Sequence, residues 1–79
     1  MSFAYGNTYL NLKRDELYGE IEYHYDSHSF VVRIYIVNEK VIPTKYRLLT
    51  TMSYGNEVAA EDALLDLMEY PALTALRYL

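Results

Sequence analysis

The chain contains no cysteine and no tryptophan, and only three glycines and two prolines in 79 residues. Without cysteine there can be no disulfide, no thiolate nucleophile and no cysteine-based zinc site. That absence fits a reducing compartment. Gly6, Gly19 and Gly55 stand far apart, so no glycine-rich phosphate loop is present. No apolar run approaches the ~20 residues that cross a bilayer as a helix. The N-terminus, MSFAYG, lacks the basic start and apolar stretch of a secretory signal. Together these features predict a soluble, cytoplasmic protein.

Basic charge is scarce as well, and its shortage is local. Net charge is −4. Residues 1–56 balance six acids with six bases, whereas residues 57–79 carry five acids and only Arg77. The excess therefore sits in the C-terminal third, where a polyanion is repelled.

Apolar residues and tyrosine are plentiful. The chain is 52% hydrophobic, too apolar for a disordered tail. Its length predicts one domain spanning residues 1–79. A core of this size supplies roughly 3–5 kcal/mol of net stability, so a partner subunit is a natural addition. Ten tyrosines offer contact area with a polar tip, a combination common at interfaces. They also serve as the large hydrophobes of a small core.

Alternation dominates residues 17–37. Ile21, Tyr23 and Tyr25 share a parity, and Glu20, Glu22 and His24 share the other. After Asp26-Ser27-His28-Ser29 the pattern resumes with Phe30, Val32, Ile34 and Ile36 against Val31, Arg33, Tyr35 and Val37. This predicts a hairpin. Facing Asp26 with Ser29 pairs Tyr25 with Phe30, Tyr23 with Val32 and Ile21 with Ile34, and sets Glu22 against Arg33. A third strand follows the polar break Asn38-Glu39-Lys40. Ile42, Tyr46, Leu48 and Met52 continue the core parity, with Ile36 facing Ile42 and Val32 facing Tyr46. Pro43 lacks a ladder donor, which suits an edge or a strand start. Lys45 and Arg47 then take the opposite face. The segment Thr8 to Leu12 is read as a further strand, turning at residues 13–16.

Asn56 is a good N-cap and Glu57 sits where the helix dipole favours an acid. A helix is predicted over residues 57–70, with Ala60, Ala63, Leu64, Leu67 and Tyr70 as its buried stripe. Asp62, Asp66 and Glu69 fall on the reverse face, and Glu57 and Glu61 on one flank. Val58 and Leu65 lie off the stripe's centre. Pro71 stops this helix and can open another. The predicted fold is α+β: a three- or four-stranded antiparallel meander, one main C-terminal helix packed on one face, and a short second helix or turn at the C-terminus. The outer sheet face carries Val31, Tyr35, Val37 and Leu49, which need a cover.

The motif EYHYDSHSF holds both histidines, His24 and His28, with Asp26 between them. On a continuous strand all three would share a face and resemble a ligand set. The predicted chain reversal separates them, and Asp26 and Ser29 are typical turn formers. No metal or cofactor is therefore assigned. Glu20 and Glu22 lack the contrast in surroundings that an acid–base pair needs. There is no Ser-His-Asp spacing, so no catalytic residue is named and the chain is read as a non-enzyme.

The run SFVVRIYIV followed by NEVAAEDALLDLM, within residues 29–69, resembles in element order and apolar pattern the C-terminal part of double-stranded RNA-binding domains. Those domains bring lysines to the start of the helix for phosphate. Asn56, Glu57 and Glu61 stand at the corresponding positions here, so the binding chemistry of that family is missing. Lys45, Tyr46 and Arg47 form a small basic–aromatic patch, a modest footprint for nucleic acid.

The sequence reads best as a small acidic interaction protein that binds another protein through Glu57, Glu61, Asp62, Asp66 and Glu69. An acidic face on a compact scaffold fits a basic groove, such as that of a protein handling nucleic acid. Phages and mobile elements encode accessory inhibitors of this size and charge. A nucleic-acid-binding module is the alternative reading. A third is a self-assembling structural module, a homodimer joined through Val31, Tyr35 and Val37.

Overall fold

The computed structural model describes residues 6–78. It is an α+β fold in which four strands, β1 (Gly6–Arg14), β2 (Leu17–His24), β3 (Ser29–Asn38) and β4 (Lys45–Tyr54), form an antiparallel meander in the order β1-β2-β3-β4. Two helices follow, α1 (Glu57–Glu69) and α2 (Pro71–Tyr78).

The segment expected to be the first strand is β1. Asp15 and Glu16 turn it into β2, with Arg14 facing Leu17. Asp15 adopts φ 53°, a left-handed conformation that a short polar side chain tolerates. An extra residue, Tyr9, interrupts the ladder between the Thr8–Glu22 and Leu10–Ile21 pairs.

The β2–β3 hairpin forms, but two residues away from the expected register. His24 faces Ser29, so residues 25–28 make the turn and His28 closes it at φ 51°. Tyr23 pairs with Phe30, Ile21 with Val32, and Glu20, not Glu22, with Arg33. A slip of two preserves every face, because side chains alternate with a period of two. Hydrophobic parity alone therefore could not separate the two registers.

The β3–β4 connection departs further. Pro43 falls in a loop over residues 39–44, and β4 begins where Lys45 faces Asn38. Ile42, expected in the core, is 98% exposed. Val32 faces Met52 and Ile34 faces Thr50, but Tyr35 faces Leu48. Leu49 is the extra residue, and this bulge inverts the parity of the strand before it. Tyr46 and Leu48 consequently share the outer face with Val37 and Tyr35, while Leu49 packs against the core. Lys45 and Arg47, paired with Asn38 and Ile36, take the inner parity.

Helix α1 lies on the inner face. Asn56 caps it, its side-chain oxygen accepting from the Ala59 N–H at 2.8 Å. Ala60, Leu64, Leu67 and Met68 are buried against Leu17, Ile21, Val32 and Ile34. Ala63 is only half-buried. Tyr70, expected in the stripe, is 62% exposed because α1 ends at Glu69 and Tyr70 has left helical geometry. Pro71 opens α2, whose Thr74 hydroxyl donates to the Leu67 carbonyl at 2.5 Å. That buried bond satisfies a carbonyl that the end of α1 leaves without a helical partner. No described helix crosses the outer sheet face. Val31 and Val37 are nonetheless buried, and Tyr35 is half-buried.

Candidate functional site

The five acids of α1 do not form one surface. Glu57 and Glu61, one turn apart, converge on Tyr9 from the edge strand β1. The Tyr9 hydroxyl donates to Glu57 Oε2 at 2.5 Å and to Glu61 Oε2 at 2.6 Å. The bulge at Tyr9 lets this ring reach the helix. Hydrogen bonds to Glu57 and then Glu61 hold the phenol well above its ordinary pKa, so it keeps its proton and acts as a donor.

Asp62, Asp66 and Glu69 are exposed on the far side of α1, opposite the stripe that packs on the sheet. Among the described residues no cation pairs with them. Exposed apolar side chains accompany them: Leu65 on α1, Tyr70 at the junction, and Leu73 and Leu76 on α2. A groove of about 440 Å³ between α1, α2 and β4 is lined by Asp66, Glu69, Tyr70, Leu73, Arg77 and Tyr78, among others. On the other flank, the Arg14 guanidinium donates to the Met68 carbonyl at 3.4 Å, placing a cation near the C-terminal end of α1, where the dipole favours it. The helical layer thus presents three carboxylates without a cation among the described residues, together with exposed leucines on both flanks of α1 and on α2.

The outer sheet face carries a polar network. The Arg33 guanidinium donates to Glu22 at 2.5 Å, and His24 Nε2 lies 3.0 Å from the same Glu22 oxygen. Glu20 lies 3.8 Å from Arg33 and accepts from the Tyr35 hydroxyl at 3.4 Å. Burial pushes the Glu22 carboxyl up, but the bonds from Arg33 and His24 outweigh it and leave it below the usual range. The bond to Glu22 raises Arg33 further. Burial, then the Glu20 charge, raises Tyr18 and Tyr35. The rings of Tyr18, Tyr35 and Tyr46 pack together with centroids 6.0–6.4 Å apart. The expected Glu22–Arg33 pair is therefore present, as a diagonal rather than a directly opposed pair. Of the residues expected to join two copies, Val31 and Val37 are buried in this face and Tyr35 belongs to the ring cluster.

The two histidines go separate ways. His24 joins Glu22, whereas His28 Nδ1 lies 3.2 Å from the Tyr23 hydroxyl, and Tyr23 has the opposite parity. Among the described residues no group of three or more His, Asp or Glu is placed to hold a metal ion. Lys40, Lys45, Tyr46 and Arg47 line a cleft of about 650 Å³ at the sheet end where β4 begins. The bulge puts Tyr46 on the outer face and its two basic neighbours on the inner parity, so the patch straddles the edge strand. Lys13, at the same end, is paired with Glu39 at 3.3 Å.

Sequence reasoning missed Tyr9 as a partner of the helix acids, because nothing local links residues 48 and 52 positions apart. It also did not single out Leu73 and Leu76, which fall in the short second helix or turn expected at the C-terminus. No family model matches the chain, and neither the curated proteins nor the solved structures compared with it give a match.

Proposed function

We propose that the chain is a small acidic, non-enzymatic interaction protein whose helical layer docks on a basic protein surface. The observation that supports this reading is the face formed by Asp62, Asp66 and Glu69, exposed and without a cation among the described residues. Leu65, Leu73 and Leu76, all more than half exposed, lie on the same layer. Exposed ion pairs contribute only about 0–1 kcal/mol each. The carboxylates therefore set orientation and encounter rate. Affinity comes from covering the leucines, at roughly 25 cal/mol per Å² of apolar surface removed from water. The matching partner has a groove rimmed by lysine or arginine with an apolar floor. A protein that handles nucleic acid presents lysine and arginine on its binding surface, and occupying that surface would inhibit it.

A pull-down from host lysate tests this, comparing the native chain with the variant D62K/D66K/E69K. These positions are exposed, so the fold should survive. The expected outcome is a specific captured protein that disappears with the variant. Equal capture of the same proteins by both would remove the acidic face from the account.

A further inference from the structure

A second surface lies at the other end of the molecule, where β1 begins, β2 ends and β3 begins, beside the start of α1. A cleft of about 770 Å³ opens there, with Tyr9, Tyr23, Tyr25, Phe30, His28 and Glu57 in its lining. Four of the eight lining residues are tyrosine or phenylalanine. Their rings do not stack flat. Tyr23 and Phe30 lie 4.9 Å apart at 49°, Tyr9 and Phe30 5.8 Å apart at 67°, and Tyr23 and Tyr25 5.2 Å apart at 89°. Rings at such steep angles build walls and a floor rather than a closed stack. Ring faces carry the negative part of the aromatic quadrupole.

Charge decides which guest suits this cleft. Glu57 lines it directly, and Glu61 lies one helical turn on. The two carboxylates share a single neutral donor, the Tyr9 hydroxyl. Among the described residues neither is ion-paired. The N-terminus of α1 opposes them with only about half a positive charge, and the Asn56 side chain and Glu57 already answer it locally. Two full negative charges prevail, so an anion is repelled and a cation attracted. His28, also in the lining, has its Nδ1 3.2 Å from the Tyr23 hydroxyl.

We propose that this aromatic cleft with its carboxylate rim receives the cationic head of a lysine or arginine side chain presented by a partner protein. The walls give cation–π attraction and Glu57 gives the counter-charge. Each element is weak when exposed, and together they discriminate a cation from a neutral chain of the same length. The site is separate from Asp62, Asp66 and Glu69, and its test needs no partner, so the two proposals fail independently.

The experiment titrates the full chain with three probes, the N-acetyl methylamides of lysine, arginine and norleucine, and follows backbone amide resonances by NMR. At least one cationic probe should give saturable shifts at Tyr25, Phe30 and Glu57, binding at least about fivefold more tightly than norleucine. Glu57→Gln and Tyr25→Ala should each weaken that binding by about fivefold. Both residues are exposed, and an unchanged amide spectrum elsewhere certifies the fold of each variant. Equal affinity for norleucine would overturn the proposal. So would the absence of saturable shifts with either cationic probe, or cation binding that survives both substitutions.

Discussion

Gly19 sets the spacing between the two layers. It occupies the inner face of β2, and a Cβ built there would lie 2.5 Å from Leu64 Cδ1, 3.0 Å from Ile34 Cδ1 and 3.3 Å from Met68 Sδ. Leu64 and Met68 belong to α1, so the missing side chain lets the helix descend onto the sheet. Alanine elsewhere in a strand gains slightly from reduced chain entropy. Here the clash with Leu64, with tight contacts to Ile34 and Met68 that leave it little room to shift, wins. Gly19→Ala should destabilise the protein by about 1–3 kcal/mol in chemical denaturation. Gly55 has nothing within 4 Å of the same position and does not adopt positive φ, so Gly55→Ala should change stability by less than about 0.5 kcal/mol. Equal effects at the two sites would contradict the packing described. Alternation puts Gly19 on the face of Ile21, but how closely the helix approaches that face was not legible, since the helix comes from a distant part of the chain. The same limit hid Tyr9, whose carboxylate partners come from a helix that the chain reaches only after three more strands.

At the scale of elements, legibility followed locality. Asn56 as a cap and Glu57 as a first-turn acid depend on neighbours within one turn, and both are as expected. Strand faces were legible over residues 17–37, because alternation carries them. Register was not, because the four-residue turn ending at His28 preserves parity while changing every pair. In β4 even parity failed, since the bulge at Leu49 depends on what β3 offers opposite it. Pro43 carried part of that information: lacking an N–H it cannot extend the ladder as a donor, and the strand starts beyond it. The helix end depended on Pro71 as well as on periodicity, so Tyr70 fell outside the stripe that the helical wheel assigned to it. The cap gives the test at this scale. Asn56→Ala should cost about 1 kcal/mol, within a range of roughly 0.5–2, while Asn56→Ser should retain most of the stability. A loss with serine as large as that with alanine would mean that the bond to Ala59 is not what starts α1.

For the molecule as a whole, the acidic excess coincides with one layer of the architecture. Lys13, Arg14, Lys40, Lys45 and Arg47 gather, with the acids Asp15, Glu16 and Glu39, toward the sheet end where β1 meets β2 and β3 meets β4, whereas the helical layer carries five acids and only Arg77. The acidic bias of residues 57–79 was visible in the sequence. So was its division into Asp62, Asp66 and Glu69 on the reverse face and Glu57 and Glu61 on one flank; that Tyr9 holds the flanking pair was not, because helix periodicity fixes angles around α1 but not which neighbours reach them. The role proposed for Asp62, Asp66 and Glu69 is to guide this protein onto a basic partner. The most direct measurement is the association rate with the captured partner between roughly 0.05 and 0.5 M salt, for the native chain and for D62K/D66K/E69K. The native rate should fall at least about tenfold across that range, and the variant should start slow and vary little. Identical rates with the same salt dependence in both chains would contradict the claim.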